Sequence, residues 1–346
     1  MMNRILVAMS GGVDSSFAAA LLLQQGHKVE GVTMKLSAGV CCDIASAQAV
    51  CAHLGIAHRI IDMQREFERS VVHNFISEYR AGRTPNPCIR CNDIIKFQAL
   101  LSHARDNGFD FLATGHYARI EQNPATGRYL LKKGADPGKD QSYFLYRLTQ
   151  DQLADVLFPL GAMHKKEVRE QSRLQRLPAA ERPESQEICF VPDNNYRAFL
   201  REHAPDVLRR GEITMIDGTV VGKHNGIAFF TVGQRRKLGV AAGERLYVTR
   251  IEPETGRVVL GQRRDLETSS LQVSDTIFLP FDRLEKLLAV EVKVRYRSTL
   301  QAATIQPADS GRIAVAFDHP VTGVTPGQAA VFYEGDIVVG GGTIER

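Results

Sequence analysis

The stretch "MSGGVDSS", residues 9–16, decides how the first half of this 346-residue chain is read. It follows the apolar run "RILVAMS" (4–10), which reads as a buried strand, and it opens "VDSSFAAALLLQQG" (13–26), which reads as a helix closed by Gly26. Gly11 and Gly12 tolerate positive φ and let a ligand approach the backbone closely. The helix N-terminus adds unpaired N–H groups and a partial positive charge, and Ser10, Ser15 and Ser16 add hydroxyls. The stretch therefore predicts an anion cradle at the C-terminal end of a parallel strand. It lacks the Gly-Lys-Ser/Thr of a P-loop and the spacing of a dinucleotide fingerprint. As a bare Gly-Gly turn, it is equally a serine-capped strand–helix junction.

Strand and helix signals keep alternating beyond it. "KVEGVTMKL" (28–36) and "AHRIIDM" (57–63) read as strands. "DIASAQAVCAHLG" (43–55) reads as a helix capped by Asp43 and stopped at Gly55. Residues 65–80 and 93–108 read as helices, and "FDFLATGH" (109–116) as a further strand. Such alternation predicts a doubly wound α/β domain with a parallel sheet. "RYLLKKGAD" (128–136) predicts a hairpin, and 149–157 and 164–176 predict helices, the latter a charged, solvated one. Past residue 205 short β runs with Asp-Gly and Thr-Gly turns take over. The expected division is 1–204 for the α/β domain, 205–267 for a small central β-rich domain and 268–346 for a second β domain, a barrel. "VRYRS" (294–298) is expected to be a strand with Arg295 and Arg297 on one face.

Composition sets limits. The hydrophobic share of 44% and charged share of 24% are those of a globular protein, and the net charge of +4 permits a polyanionic partner without requiring one. The longest apolar run, "FAAALLL" (17–23), is too short for a bilayer, and no secretory leader is recognisable, so the expected setting is cytoplasmic, without a membrane. In that setting the six cysteines stay largely reduced, and "TPNPCIRCND" (84–93) is a catalytic or metal-binding pair before it is a structural disulfide. Cys51 sits in an apolar helical pattern and reads as core; adjacent Cys41 and Cys42 read as ordinary buried residues.

The string S-G-G-x-D-S directly after the first strand resembles the pyrophosphate loop of adenine nucleotide alpha-hydrolase-like ATP pyrophosphatases. Further strings narrow the resemblance: "GRTPNPCIRCN" (82–92), "ATGHYAR" (113–119), "KDQSYFLYRL" (139–148), "SQEICFV" (185–191), "HNGIAFFTVGQRRKLG" (224–239) and "VTPGQAAVFYEGDIVVGGGTIE" (324–345). In order and along nearly the whole chain, they resemble the tRNA-specific 2-thiouridylase family. The resemblance implies ATP, with Mg2+, bound by Ala8, Met9, Ser10, Gly11, Gly12, Val13, Asp14, Ser15, Met34 and Gly115. It implies a persulfide on Cys189, loaded by a sulfur-carrier protein, and Cys91 as the second thiol. Arg90 and the start of the 93–108 helix would then favour the Cys91 thiolate. It implies tRNA contacts from Asn86, Pro87, Cys88, His116, Lys139, Asp140, Gln141, Arg295, Tyr296 and Gln328, Gln328 also shaping the site.

One position departs from the pattern: some relatives carry aspartate, in an acid–base role, where this chain has Cys88. Cys88, Cys91 and Cys189 also suit a 4Fe-4S cluster with one open iron, an alternative to the persulfide scheme. Two readings from other classes stand beside thiolation: a small-molecule ATP pyrophosphatase or ligase, which leaves the thiols unused, and a non-catalytic metal-storage protein, which leaves the loop unused.

Overall fold

In the computed structural model, residues 2–36, 43–183, 188–241 and 243–345 are described. The chain forms two compact units: residues 1–71, 88–190 and 336–338 in one, residues 72–87, 191–335 and 339–346 in the other.

The first unit is the expected α/β layer. Strands β1 (Arg4–Ala8), β2 (Lys28–Lys35) and β3 (His58–Asp62) alternate with helices α1 (Val13–Gln24) and α2 (Ile44–Leu54). Residues 64–80 are helical throughout: α3 (Gln64–Phe67), a π-helical stretch Glu68–Val72, then α4 (His73–Arg80). The cysteine loop leads into α5 (Pro87–Arg90), a π-helical stretch Cys91–Leu100 and α6 (Leu101–Asp106), followed by strand β4 (Phe111–Ala113). Strands β5 (Ala118–Gln122) and β6 (Tyr129–Lys133) make the expected hairpin; α7 (Gln150–Ala154), the short strand β7 (Val156–Leu157) and α8 (Lys165–Leu174) follow. The parallel order is β3-β2-β1-β4-β7, with Val7 paired to Gly31 on one side and Ala113 on the other. The winding direction reverses between β1 and β4, so their C-terminal ends open the crevice where such sheets bind ligands.

Both faces of this sheet are covered, which is why "ILV" (5–7) is apolar without alternation and fully buried. Ala19 and Leu22 of α1 pack with Ile5, Val7 and Val50, while Phe17, Ala18 and Ala20 pack with Tyr117, Leu160 and Val168. Each large side chain removed from water in this way contributes roughly 1.5–3 kcal/mol. Cys51 is core, as expected: it is 1% exposed and burial pushes its thiol up to about 11. Asp43 caps α2 by accepting from Ser46 N at 2.9 Å, and Gly26 and Gly55 take the left-handed conformation past their helices. Residues 336–338 complete the unit: Ile337 pairs with Lys132, and the Asp336 carboxylate meets Arg119 at 2.7 Å.

The second unit holds α4, α9 (Tyr196–His203) and two β assemblies. Strands β8 (Gly211–Met215), β9 (Val220–His224), β10 (Tyr247–Glu252) and β11 (Arg257–Gly261) form a four-stranded sheet in the order β10-β11-β8-β9. Strands β12 (Thr268–Phe278), β13 (Leu288–Lys293), β14 (Gln301–Pro307), β15 (Ile313–Val321), β16 (Ala329–Glu334) and β17 (Ile337–Ile344) run β12-β15-β14-β13-β16-β17, and β12 pairs with β17 to close a barrel. Alternate residues such as Val290, Val292, Ala303, Ile305, Val315 and Phe317 fill it.

Two expectations need correcting. "VRYRS" is not a strand: β13 ends at Lys293, and residues 294–298 turn, Ser298 N donating to Arg295 O at 3.1 Å. The 93–108 helix begins earlier, at Pro87, whose fixed φ and missing N–H suit a first helical turn.

Candidate functional site

The 9–16 turn joins β1 to α1 as expected, and its hydroxyls are partly spent on building it. Gly11 adopts φ +81°, and a Cβ there would meet Asp43 O at 2.6 Å. The Ser15 and Ser16 hydroxyls both donate to Gly12 O, at 3.2 and 2.8 Å, and Ser16 is fully buried. Ser16 is therefore a scaffold residue rather than a ligand donor; Ser10 remains exposed. Met9 and Val13 are core side chains, 2% and 3% exposed, so what they offer a nucleotide is backbone. Ala8 ends β1, and Met34, 6% exposed, lies one residue from the end of β2 beside it. Gly115 follows β4 and packs on the first turn of α1: a Cβ would stand 2.8 Å from both Asp14 C and Ser15 N.

Asp14 is the best-connected residue of the cradle. Lys165 Nζ lies 2.6 Å from each carboxylate oxygen, and the Tyr117 hydroxyl donates to Oδ1 at 2.7 Å. The Lys165 side chain is 9% exposed and that of Asp14 32%. This corrects the solvated reading of "HKKEVREQSRLQR": the helix is exposed along most of its length, but its first residue turns inward as the cation of the loop. The capping box at His164 and Glu167, at the very start of α8, was the signal that residue 165 stands at a fixed helix origin. Arg182 is a second cation that sequence reasoning missed. It donates to Gly11 O at 3.3 Å and to Asp43 Oδ2 at 2.5 Å. The Ser46 amide, and then the Arg182 guanidinium, hold the Asp43 carboxyl below its usual range.

The thiols belong to the same unit. Cys88 stands in the first turn of α5 and is open to solvent, whereas Cys91 is 8% exposed. The early helix start moves the partial positive charge of the N-terminus to Cys88, so the expectation that it acts on Cys91 is corrected; the Arg90 side chain is directed at Ser70 O. Burial of the sulfur, then the nearby Cys189 thiol, push the Cys88 thiol up, with Lys96 pulling the other way. A thiol raised in this way stays protonated at neutral pH. Cys189 is followed by Phe190, whose ring meets Phe67 edge-on at 5.5 Å; the short helix of Phe67 packs on the helix carrying Cys91. Among the described residues, no three His, Cys, Asp or Glu side chains gather as a metal site. Cys41 and Cys42 lie outside the described residues.

Several expected tRNA contacts are otherwise engaged. His116 does not face outward. It is 9% exposed, its ring stands 5.8 Å from those of Phe97 and Phe158, and Nδ1 is 2.6 Å from Thr114 Oγ1. Burial, then Lys96, drive its pKa well below 6.5. Asp140 is buried too, accepting from Gly134 N at 3.0 Å, Ser142 N at 3.1 Å and Ser142 Oγ at 3.0 Å, so its carboxylate braces the loop. Lys139 and Gln141 keep half-exposed side chains.

Within the second unit, Gln328 Nε2 donates to Thr84 O at 2.7 Å and Pro85 O at 3.2 Å, which fits the site-shaping role: it fixes the stretch leading to Asn86 and Pro87. The Arg295 guanidinium donates to Val232 O at 2.9 Å and to Thr325 Oγ1, and so serves the fold, while Arg297 is exposed. Lys293 Nζ lies 5.8 Å over the Tyr296 ring. A cavity of about 1050 Å³ in this unit includes Glu252, Glu254, Asp265, Glu267 and Glu345 in its lining, a charge that disfavours a polyanion.

Comparison with known proteins agrees with this architecture. The model described as "tRNA methyl transferase HUP domain" matches residues 3–193, "tRNA methyl transferase PRC-barrel domain" residues 197–262, and "Aminomethyltransferase beta-barrel domain" residues 268–344. The tRNA-specific 2-thiouridylase MnmA of Carboxydothermus hydrogenoformans is 45% identical over 99% of this chain and 98% of its own. That of Halothermothrix orenii is 44% identical over 100% and 99%. A solved 4-thiouridine synthetase–RNA complex with bound ATP is 15% identical over 59% of this chain and 51% of its own, with a TM-score of 0.35, too remote to bear on function. With one family model over residues 3–193 and relatives about 45% identical along nearly the whole length of both chains, the chain belongs to the tRNA-specific 2-thiouridylase family.

Proposed function

We propose that the protein replaces the C2 oxygen of the wobble uridine in tRNA with sulfur, at the expense of ATP, in the cytoplasm. The observation that carries the reading is one compact unit holding both a phosphate loop at the β1/β4 switch point and the cysteines 88, 91 and 189. A methyl transfer would need neither. The uracil oxygen attacks the α-phosphate of ATP, pyrophosphate leaves, and the adenylated oxygen becomes a leaving group. The Cys91 thiolate attacks the inner sulfur of a Cys189 persulfide, forms a Cys91–Cys189 disulfide and expels hydrosulfide. Hydrosulfide attacks C2 and AMP departs. A thiol reductant and a sulfur-carrier protein restore the cysteines.

The loop amides and Ser10 hold the triphosphate, and Lys165 and Arg182 offset its charge. Asp14 suits Mg2+: Lys165 and Tyr117 use only part of its acceptor capacity, and magnesium is commonly held by one carboxylate plus phosphates. That ion, when bound, neutralises the leaving pyrophosphate. Asn86, Pro87, Lys139, Gln141 and Tyr296 are assigned to tRNA, and the chain to three domains, 1–204, 205–267 and 268–346.

Cys91→Ser and Cys189→Ser should each abolish 2-thiouridine formation, read by mass spectrometry of digested tRNA, while ATP still binds. Wild-type thiolation by either variant rejects the thiol assignment. Pyrophosphate release that follows an amino acid or free nucleotide instead of tRNA supports a small-molecule ligase.

A further inference from the structure

Gln141 and Asp14 are far apart in sequence, and a single residue ties both down. The Gln141 amide N–H donates to Tyr117 O at 2.9 Å, and Gln141 Oε1 accepts from Tyr117 N at 3.0 Å. Two antiparallel bonds of this kind clasp the Tyr117 backbone to the 139–141 segment. At its other end the Tyr117 hydroxyl donates to Asp14 Oδ1 at 2.7 Å, beneath Lys165, whose Nζ lies 5.7 Å over the ring. The connection is stiff. Tyr117 is 2% exposed, the Asp140 carboxylate locks the turn beside it, and Gly134 packs so closely that a Cβ there would stand 2.8 Å from Tyr117 O. The hydroxyl cannot keep its bond to Asp14 if the clasp shifts, because a buried ring in a packed core has no room to compensate.

We propose that Tyr117 is a positioning residue that couples tRNA engagement at 139–141 to the nucleotide loop. Holding Gln141 in place holds the Asp14 carboxylate in the orientation that receives ATP. By linkage, tRNA and ATP then tighten each other's binding by one common factor. A charge-assisted hydrogen bond sets its scale at about tenfold. The proposal rests on the thiolation reading and on 139–141 facing tRNA.

The test is calorimetric titration of ATP into the full-length protein, with and without an unmodified tRNA transcript bearing the wobble uridine. Wild type should bind ATP about tenfold more tightly with tRNA present. Tyr117→Phe, which deletes one oxygen, should reduce that ratio to about twofold or less. The ratio cancels any general loss of folded protein, so a merely structural role would not move it. Gln141→Ala should lower the ratio similarly, and the double variant should lose no more than either alone. Full coupling in Tyr117→Phe, or additive effects in the double variant, overturns the proposal. Should wild type turn over ATP only with tRNA while its ATP affinity ignores tRNA, the coupling falls and the thiolation reading stands. If wild type shows no tRNA-dependent turnover at all, both fall.

Discussion

Replacing Lys165 with methionine removes the buried cation paired with Asp14 while keeping most of its volume. Methionine preserves the packing of the aliphatic stem, so the change isolates the charge. Stripping one partner from a fully buried pair costs about 3–5 kcal/mol, whereas exposed pairs contribute about 0–1 kcal/mol. Here the Lys165 side chain is 9% exposed and that of Asp14 32%. The cost should fall between those limits, at about 2–3 kcal/mol. For a unit of this size, about 2–4 °C per kcal/mol lowers the midpoint of its thermal transition by about 4–12 °C. The second consequence is on the ligand. In a titration without magnesium, like charges on Asp14 and ATP, taken as about 5 Å apart at an effective dielectric near 20, repel by about 3 kcal/mol. That is roughly a hundredfold in ATP affinity. Circular dichroism melting and ATP titration calorimetry read the two effects. Adding Asp14→Asn to Lys165→Met should recover part of the midpoint, because no uncompensated charge is left. A Lys165→Met protein melting within about 2 °C of wild type and binding ATP within about threefold would refute the reasoning.

Three further outcomes follow from the same geometry. Gly115→Ala drives a Cβ to within 2.8 Å of the Asp14 and Ser15 backbone, so it should cost about 1–3 kcal/mol of stability and weaken ATP binding; an unperturbed titration would show that the loop yields freely. Arg182→Ala should barely change the melting temperature, since its pair with Asp43 is more than a third exposed, yet should weaken ATP binding about tenfold or more; equal affinity would remove Arg182 from the site. His116 has a folded pKa well below the unfolded value of 6.5, so below that value the unfolded chain binds more protons and stability falls as pH falls. Chemical denaturation of wild type and His116→Gln between pH 7.5 and 5, roughly, should show wild type losing more, by up to about 1.4 kcal/mol per pH unit; parallel curves would place a charged imidazole there.

The order of events along the chain was legible from residues alone because it depends on local chemistry. An apolar run without alternation, a Gly-Gly turn and a following helix specify a buried parallel strand feeding a tight turn wherever they occur. Gly26, Asp43 and Gly55 mark helix ends by backbone preferences that hold without tertiary contacts. Sequence spacing is also enough to make Cys51 core. What failed were properties that depend on what lies opposite. Lys165 reads as one more charge on a polar helix until α8 brings its first residue onto Asp14, 151 positions earlier. Arg182 meets Gly11 across 171 positions. His116 and Asp140 read as polar surface, and only the packed structure shows one among aromatic rings and the other filled with amide donors. Arg295 and Arg297 share a face only in a strand, and the chain turns there instead. A sequence determines which groups a segment can offer; the tertiary structure decides which of them are already satisfied, because partners, burial and field come from residues remote along the chain.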